Sequence, residues 1–287
     1  MKKKVTAVII ARKNSTRIPG KMYKKLNGKS LIELKISHLL KTKVDEIAVG
    51  SDDEKLGKLC NKLNSKKIKF YKRPDYFCDE KVASANETIK NMLSYINTDV
   101  VLWAYPTNPL TTHKHYNEAL SLYFKKIRMG FDGLFSVNKS LNYFWGINKK
   151  PINHNPNEKR HTRLSEGKIN PLYVDNGAIF IRDYKSMLKD GNHWSKKGYM
   201  YVMDEKIGWD INFEWDLEAC KLKSFKKINA TEASKHPKWK MGKKISIDSS
   251  NLMNKTLEII EAYRLFPFDP KKYEIIIHPQ SLVHAIV

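Results

Sequence analysis

Cysteine is scarce in this chain of 287 residues: Cys60, Cys78 and Cys220 are odd in number, far apart and form no C-x-x-C pair. That spacing excludes a disulfide framework and gives no sign of a structural zinc site, so free thiols are expected. Long apolar runs are missing too. No stretch approaches the ~18 to 20 residues a membrane span requires, and the mean hydropathy is −0.55. Met1-Lys2-Lys3-Lys4 followed by Val5 to Ile10 has the outline of a signal peptide, but the apolar run is too short and leads straight into Arg12, Lys13 and Arg17. It reads as a buried first strand of a cytoplasmic protein. Glycine and proline, 13 and 11 residues, are too sparse for a fibrous or low-complexity chain, while 41% hydrophobic and 11% aromatic residues supply a core. One large α/β domain with a smaller appendage suits this length better than three units.

Acidic residues are in deficit, with Asp+Glu 30 against Lys+Arg 53 and a formal net charge of +23. The excess is diffuse, in pairs such as Lys66-Lys67, Lys125-Lys126, Lys149-Lys150 and Lys271-Lys272. No basic segment is long or interleaved with stacking aromatics, so solvated helix faces are expected and a nucleic-acid partner is not.

The first half alternates strand-like and helix-like pieces. Val5 to Ile10 is a continuous apolar run suited to a strand covered on both faces, and Ile32 to Leu40 has amphipathic helical spacing. Strands Glu46 to Val49, Ile68 to Tyr71 and Val100 to Trp103 then alternate with helices Glu54 to Leu63, Ala85 to Ile96 and Tyr116 to Lys126. Pro106-Thr107-Asn108-Pro109 is a turn. This rhythm predicts an open, mostly parallel, three-layer sheet with ligands beyond the carboxyl ends of its strands. Farther on, Gly133 to Val137 and Ala178 to Ile181 read as strands, Asn148 to Asn170 as an irregular excursion and Asp216 to Lys223 as a closing helix. Ala230 to His236 reads as a junction, Asn251 to Tyr263 as a helix and Tyr273 to Ile277 as a strand whose apolar edge at Ile275 to Ile277 favours packing against a partner.

The chemistry concentrates in the loop leaving the first strand, Ala11-Arg12-Lys13-Asn14-Ser15-Thr16-Arg17-Ile18-Pro19-Gly20-Lys21. A triphosphate needs close backbone N–H groups, hydroxyl donors, and Arg or Lys to offset charge on departing pyrophosphate. This loop offers them without the Walker or G-x-G-x-x-G spacing.

That loop, with Leu26-Asn27-Gly28-Lys29-Ser30-Leu31-Ile32, resembles the opening of the acylneuraminate cytidylyltransferases. Ser51-Asp52-Asp53, Arg73-Pro74 with Ala83-Ser84, and Pro106-Thr107-Asn108-Pro109-Leu110 resemble later family segments in order. So do Tyr173-Val174-Asp175-Asn176-Gly177-Ala178-Ile179 and Asp210-Ile211-Asn212 with Asp216-Leu217. The resemblance covers roughly residues 4 to 222. It implies a Rossmann-like three-layer nucleotidyltransferase fold that joins a 2-keto sugar acid to CMP for surface glycans, using CTP and Mg²⁺ as a homodimer.

Carried over residue by residue, the resemblance makes Arg12 and Lys21 bind the CTP phosphates and stabilise the leaving pyrophosphate. Ala11, Asn14, Ser15 and Arg17 shape the loop, and Arg73, Ser84 and Thr107 lie on the nucleotide side. Arg163, Tyr173 and Asn176 would hold the sugar acid, with Arg163 suited to its carboxylate. Asp210, with Asn212, would bind Mg²⁺. Three residues depart from the family pattern: Met22 for Asn, Tyr105 for Gln and Asn212 for the second Asp of the metal pair. Degeneration into a non-catalytic nucleotide-binding protein is the alternative those departures raise.

A second resemblance begins at His236. His236-Pro237-Lys238-Trp239-Lys240-Met241-Gly242, Ile247-Asp248-Ser249, Met253-Asn254-Lys255 and Ile277-His278-Pro279-Gln280-Ser281-Leu282-Val283-His284 resemble the catalytic domain of 1-deoxy-D-xylulose 5-phosphate reductoisomerase. It implies that Ser249, Asn254 and Lys255 hold a substrate phosphate, His236 contacts the substrate and Glu258 ligates a metal. Family members place an NADPH-binding domain and an acidic metal-binding pair before this segment. Here a nucleotidyltransferase fills that space, so reductoisomerase activity is the alternative reading and not the expected one. The domains expected are 1–229 and 230–287, the second a small α+β appendage.

Overall fold

The protein, as a computed structural model, is described at residues 3–155, 157, 170–221, 257–258, 260–261 and 264–265. Two compact units divide the chain, Met1–Lys221 and Leu222–Val287, so the break falls shortly before the expected boundary at 229/230.

The first unit is built on a seven-stranded sheet in the order β5-β4-β1-β6-β8-β7-β9. Its strands are β1 (Val5–Ile10), β4 (Glu46–Ser51), β5 (Ile68–Lys72), β6 (Val100–Trp103), β7 (Gly133–Ser140), β8 (Leu172–Asp183) and β9 (Gly198–Met203). β1 pairs in parallel with both β4 and β6, β8 runs antiparallel to β6 and β7, and β9 is parallel to β7. β8 therefore runs against the other six. The expected mostly parallel α/β sheet is present, with the antiparallel β8 inserted in it.

Alternation along β1 explains the layers. Val5, Ala7 and Ile9 pack against Ile32 and Ile36 of α1 (Leu31–Leu39), Leu56 of α2 (Glu54–Lys62) and Tyr116 and Leu120 of α4 (His113–Ile127). Val8 faces the opposite side, with Ile89, Met92 and Leu93 of α3 (Ala85–Ser94) and Met187 of α5 (Tyr184–Asp190). Period-two side chains on central strands thus feed two cores, and helices must cover both. The chain runs from β1 outward to β4 and β5, then returns to β6 on β1's other flank, so the topological switch lies between β1 and β6. The loops after those two strands are residues 11–20 and 104–112, where sequence had placed the chemistry.

A smaller cluster fixes the first of these loops. Ile18 is buried with Leu26 of the β2–β3 hairpin (Lys25–Leu26, Lys29–Ser30), Leu31, Ile211, and Leu217 of α6 (Glu214–Lys221). One isoleucine thereby ties the basic loop to the segment carrying Asp210 and Asn212. Gly20 has φ 62 immediately before the 3-10 turn Lys21–Tyr23, a left-handed conformation that lets the chain reverse and present Lys21.

In the second unit the expected Asn251 to Tyr263 helix is seen at 257–258 and 260–261, where Glu258 is exposed. Arg163, His236, Ser249, Asn254 and Lys255 lie outside the described residues, as do the junction, the strand with its apolar edge, and most of the 148–170 excursion.

Candidate active site

Three contiguous cavities form a groove over the switch point. The first, about 460 Å³, is lined by Ala11, Arg12, Ser15, Lys21, Arg73, Ser84 and Thr107 among others. The second, about 330 Å³, shares Arg12, Ser15, Lys21, Glu80 and Thr107 with it and adds Arg17, Asp210 and Asn212. The third, about 390 Å³, continues past Asp210 and Asn212 to Asp175, Asn176, His193 and Trp194. Tyr105 lines all three.

The fold thus gathers most residues that the sequence singled out. Asn14 lines none of the three but a neighbouring cavity that shares Arg12 with the first two, together with Asp52 and Lys72. Tyr173 is 43% exposed on β8 and lines none of the three cavities.

Cations meet in the middle cavity. Arg12 pairs with Glu80 at 2.9 Å, and Thr16 donates to the same carboxylate at 3.4 Å. Arg12 holds the Glu80 carboxyl below the usual carboxylate range. Lys21 Nζ donates to the Ile211 carbonyl at 2.8 Å. Burial lowers the Lys21 pKa, Asp210 pulls it back up, and Arg17 and Arg12 lower it further. Three like charges held together need an anion between them; Glu80 supplies one in this state, and triphosphate oxygens have the chemistry to replace it.

The acidic segment has one available carboxylate. Asn212 donates its amide N–H to Asp210 Oδ2 at 2.8 Å, while its own Oδ1 accepts from Arg17. Asp216, the remaining acid of the motif, is 3% exposed; it accepts the backbone N–H groups of Asn212 and Phe213 at 2.8 and 2.7 Å and the Trp209 indole at 3.1 Å. It shapes the turn into α6, held by these three N–H donors. Mg²⁺ commonly binds through one or two carboxylates plus substrate phosphates, so Asp210 suits an ion held chiefly by nucleotide oxygens. Among the described residues no three His, Cys, Asp or Glu side chains come together as a cage.

Arg73 and Ser84 wall the first cavity but are engaged with protein. Arg73, 2% exposed, donates to Asn91 Oδ1 at 3.0 Å and to the carbonyls of Phe77 and Thr88 at 3.0 and 3.2 Å. Ser84 is the N-cap of α3 and forms a capping box with Glu87. Asn176 is similarly occupied: Ser136 and the Ala178 N–H donate to its Oδ1, and its amide donates to Asn138. The register shift between Phe135 and Val137 in the β7–β8 ladder turns Asn176 inward. A Cβ on Gly208 would fall 2.3 Å from the Asn176 amide, so only glycine lets the loop carrying Asp210 approach it.

Sequence reading missed the connector behind the site. Asn108 is fully buried and its amide donates to the carbonyls of Asn176, Gly208 and Trp209 at 2.9, 3.2 and 3.4 Å. Lys35, also fully buried, donates to the Asn108 carbonyl at 2.8 Å and to the Tyr116 hydroxyl. Lys35 sits on the apolar stripe of α1, and a lone lysine there was the legible signal. Glu80, His193 and Trp194 carried no motif.

A parallel-rich α/β sheet with a basic, hydroxyl-bearing loop at its switch point is the architecture of nucleotidyltransferases. The cytidylyltransferase family profile matches residues 6–167, more than half of the chain, and the chain belongs to that family. Two solved structures share the fold. 4-Diphosphocytidyl-2C-methyl-D-erythritol synthase from Anaerococcus prevotii aligns with TM-score 0.55 and 13% identity, over 76% of this chain and 95% of its own. A CMP:2-keto-3-deoxy-manno-octonic acid synthetase complexed with CTP aligns with TM-score 0.53 and 14% identity, over 76% and 97%.

The curated relatives match differently. A separate profile, the 1-deoxy-D-xylulose 5-phosphate reductoisomerase C-terminal domain, matches residues 216–266. The reductoisomerase of Wolbachia sp. subsp. Brugia malayi is 37% identical over 128 residues, which is 45% of this chain and 29% of that enzyme. The reductoisomerase of Ehrlichia ruminantium is 60% identical over 60 residues, 21% of this chain and 16% of its own length. This chain therefore spans less than a third of these relatives.

Proposed function

We propose that the chain transfers the cytidylyl group of CTP to a hydroxyl of a 2-keto sugar acid, releasing pyrophosphate and supplying a CMP-sugar for surface glycan synthesis. The observation that carries this reading is the continuity of the groove: a nucleoside-sized cavity, a cationic centre and a third cavity succeed one another, with Arg12, Lys21 and Asp210 at the centre.

In this reading cytosine and ribose occupy the cavity between Arg73, Ser84 and Thr107, and the triphosphate displaces Glu80 from Arg12. The acceptor hydroxyl approaches the α-phosphorus from the third cavity, in line with the departing pyrophosphate. Arg12, Arg17 and Lys21 offset the charge that builds on the leaving oxygens, and positioning does most of the work in such a substitution. Burial and the neighbouring arginines weaken the hold of Lys21 on its proton, and Asp210 counteracts them. Mg²⁺ bound by Asp210 would neutralise phosphate charge. The Tyr105 hydroxyl, pushed up to about 12 chiefly by burial, remains a neutral donor where all three cavities meet. Resemblance to the acylneuraminate branch favours the sugar acid as acceptor and a homodimer as the assembly.

The test is pyrophosphate release by the full chain from CTP and Mg²⁺ with a panel of 2-keto sugar acids. Release that requires both CTP and one sugar supports the proposal; CTP binding without release from any sugar removes it and leaves a nucleotide-binding protein.

A further inference from the structure

The loop carrying Asp210 is laced, almost residue by residue, to the turn that follows β6. Thr111, fully buried, donates its hydroxyl to the Ile207 carbonyl at 2.9 Å. The Asn108 amide takes the next two carbonyls, those of Gly208 and Trp209, and the Ile211 N–H donates back to the Thr107 carbonyl at 2.9 Å. Asp210 therefore stands between clamped neighbours, and Lys21 holds the far end at the Ile211 carbonyl. Thr107 of the same turn lines two of the three cavities. One short segment thus faces the nucleotide and sets the place of the carboxylate.

The lacing has a visible cost. Asn108 Oδ1 is buried and has no hydrogen-bond partner among the described residues, a deficit that folded proteins carry only where something else demands it. Turning the amide over would aim that oxygen at the carbonyls of Asn176, Gly208 and Trp209, so its donor side has to face the loop.

Lys35 holds the turn from below. Its Nζ reaches the Asn108 carbonyl at 2.8 Å, and the same carbonyl accepts the Thr111 N–H at 3.3 Å. A buried amine on the apolar stripe of α1 is itself costly, because a methionine would fill similar space with no charge to desolvate. What the lysine adds is a donor long enough to reach a loop carbonyl. Two costly polar groups converge on one turn, and that turn fixes the Asp210 loop.

We propose that Lys35, Asn108 and Thr111 are positioning residues: acting through the 107–111 turn, they hold the Asp210 carboxylate where Mg²⁺ and the nucleotide phosphates would meet it. The proposal rests on the cytidylyl-transfer reading for the role of Asp210. None of the three lines a cavity of the groove, so their effect reaches the metal side only through the loop. A carboxylate displaced by even part of an ångström loses its geometry toward the ion and the phosphates, while the nucleoside end of the groove is untouched.

The test uses the full chain with Thr111→Val, Thr111→Ser and Lys35→Met. Valine keeps the shape and loses the hydroxyl; serine keeps the hydroxyl and loses a methyl. One readout is the rise in Tm that Mg²⁺ adds at saturating CTP, each variant against its own baseline, which needs neither acceptor nor turnover. The other is kcat and KM for CTP in pyrophosphate release. Thr111→Val and Lys35→Met should lose about half or more of the Mg²⁺ increment and about fivefold or more in kcat, with KM for CTP within about twofold. Thr111→Ser should stay near wild type in both, and Asp210→Asn should abolish the increment. Should Lys35→Met fail to fold, the valine and serine pair carries the test. A wild type without a Mg²⁺ increment, an increment that survives in Thr111→Val, or a serine variant more damaged than the valine one would overturn the proposal. Increments that follow this order while no acceptor yields pyrophosphate support the positioning and sink the transfer reading alone.

Discussion

Lys35→Met should flatten the pH dependence of stability between about pH 7 and 10. The ammonium is completely buried, with Nζ 2.8 Å from the Asn108 carbonyl and 5.0 Å from the Tyr116 ring centroid. Burial lowers its pKa from 10.5 to about 7. Unfolded, the lysine keeps its proton up to pH 10.5, whereas the folded chain releases it above about 7. Between those values the unfolded state binds more protons, so stability rises with pH, by up to about 1.4 kcal/mol per unit. From pH 7.5 to 9.5 the wild type should gain about 2 kcal/mol more than Lys35→Met, or ~4–8 °C in Tm for a unit of this size. The difference between the two melting curves isolates Lys35 from Lys21 and from the thiols. Parallel curves would refute the buried amine and, with it, the Lys35–Asn108 tether.

Four further substitutions probe the groove. Arg12→Ala should cost about 10²-fold or more in turnover, since it removes a charge-assisted donor to the phosphates; pyrophosphate release measures it, and unchanged turnover would remove Arg12 from the mechanism. Glu80→Gln frees Arg12 from its internal anion, so KM for CTP should fall about twofold to fivefold, consistent with ~0.5–1 kcal/mol for a partly exposed pair; a rise in KM would instead make Glu80 a nucleotide contact. Asp210→Asn should raise the Mg²⁺ concentration needed for half-maximal turnover and lower kcat about 10²-fold, read from a magnesium titration. Asn108→Ala leaves three carbonyls short of a donor; at about 1 kcal/mol for each, the low end for an unsatisfied group, Tm should drop by roughly 6–12 °C and turnover should fall with it.

Much of the framework was legible because burial and period coincide. β1 and β6 have the bounds that their apolar runs marked, and the first four helices fall within a few residues of expectation. β9 escaped notice because its outward residues, Met200 and Val202, are apolar like its inward Tyr201 and Met203, which erases the alternation. α5 is short, and only its caps, Asp183 and Gly191, announce it. At the site, the basic loop was readable because a triphosphate cradle needs a recognisable set of residues. Asp216 carried only a family likeness in the sequence; the structure shows three N–H donors holding it. The aromatic wall of the third cavity was invisible, because Tyr105, Phe180 and the His193-Trp194 pair come from three segments that meet only through the pairing of β8 with β6.

The decisive measurement is the fate of CTP incubated with the full chain, Mg²⁺ and 2-keto sugar acids, followed as pyrophosphate and CMP-sugar. Cytidylyl transfer predicts equal amounts of both products, with CTP preferred over the other nucleoside triphosphates and little product from Arg12→Ala. CTP that binds and stays intact with every sugar, or oxidation of NADPH with 1-deoxy-D-xylulose 5-phosphate in place of transfer, would contradict it.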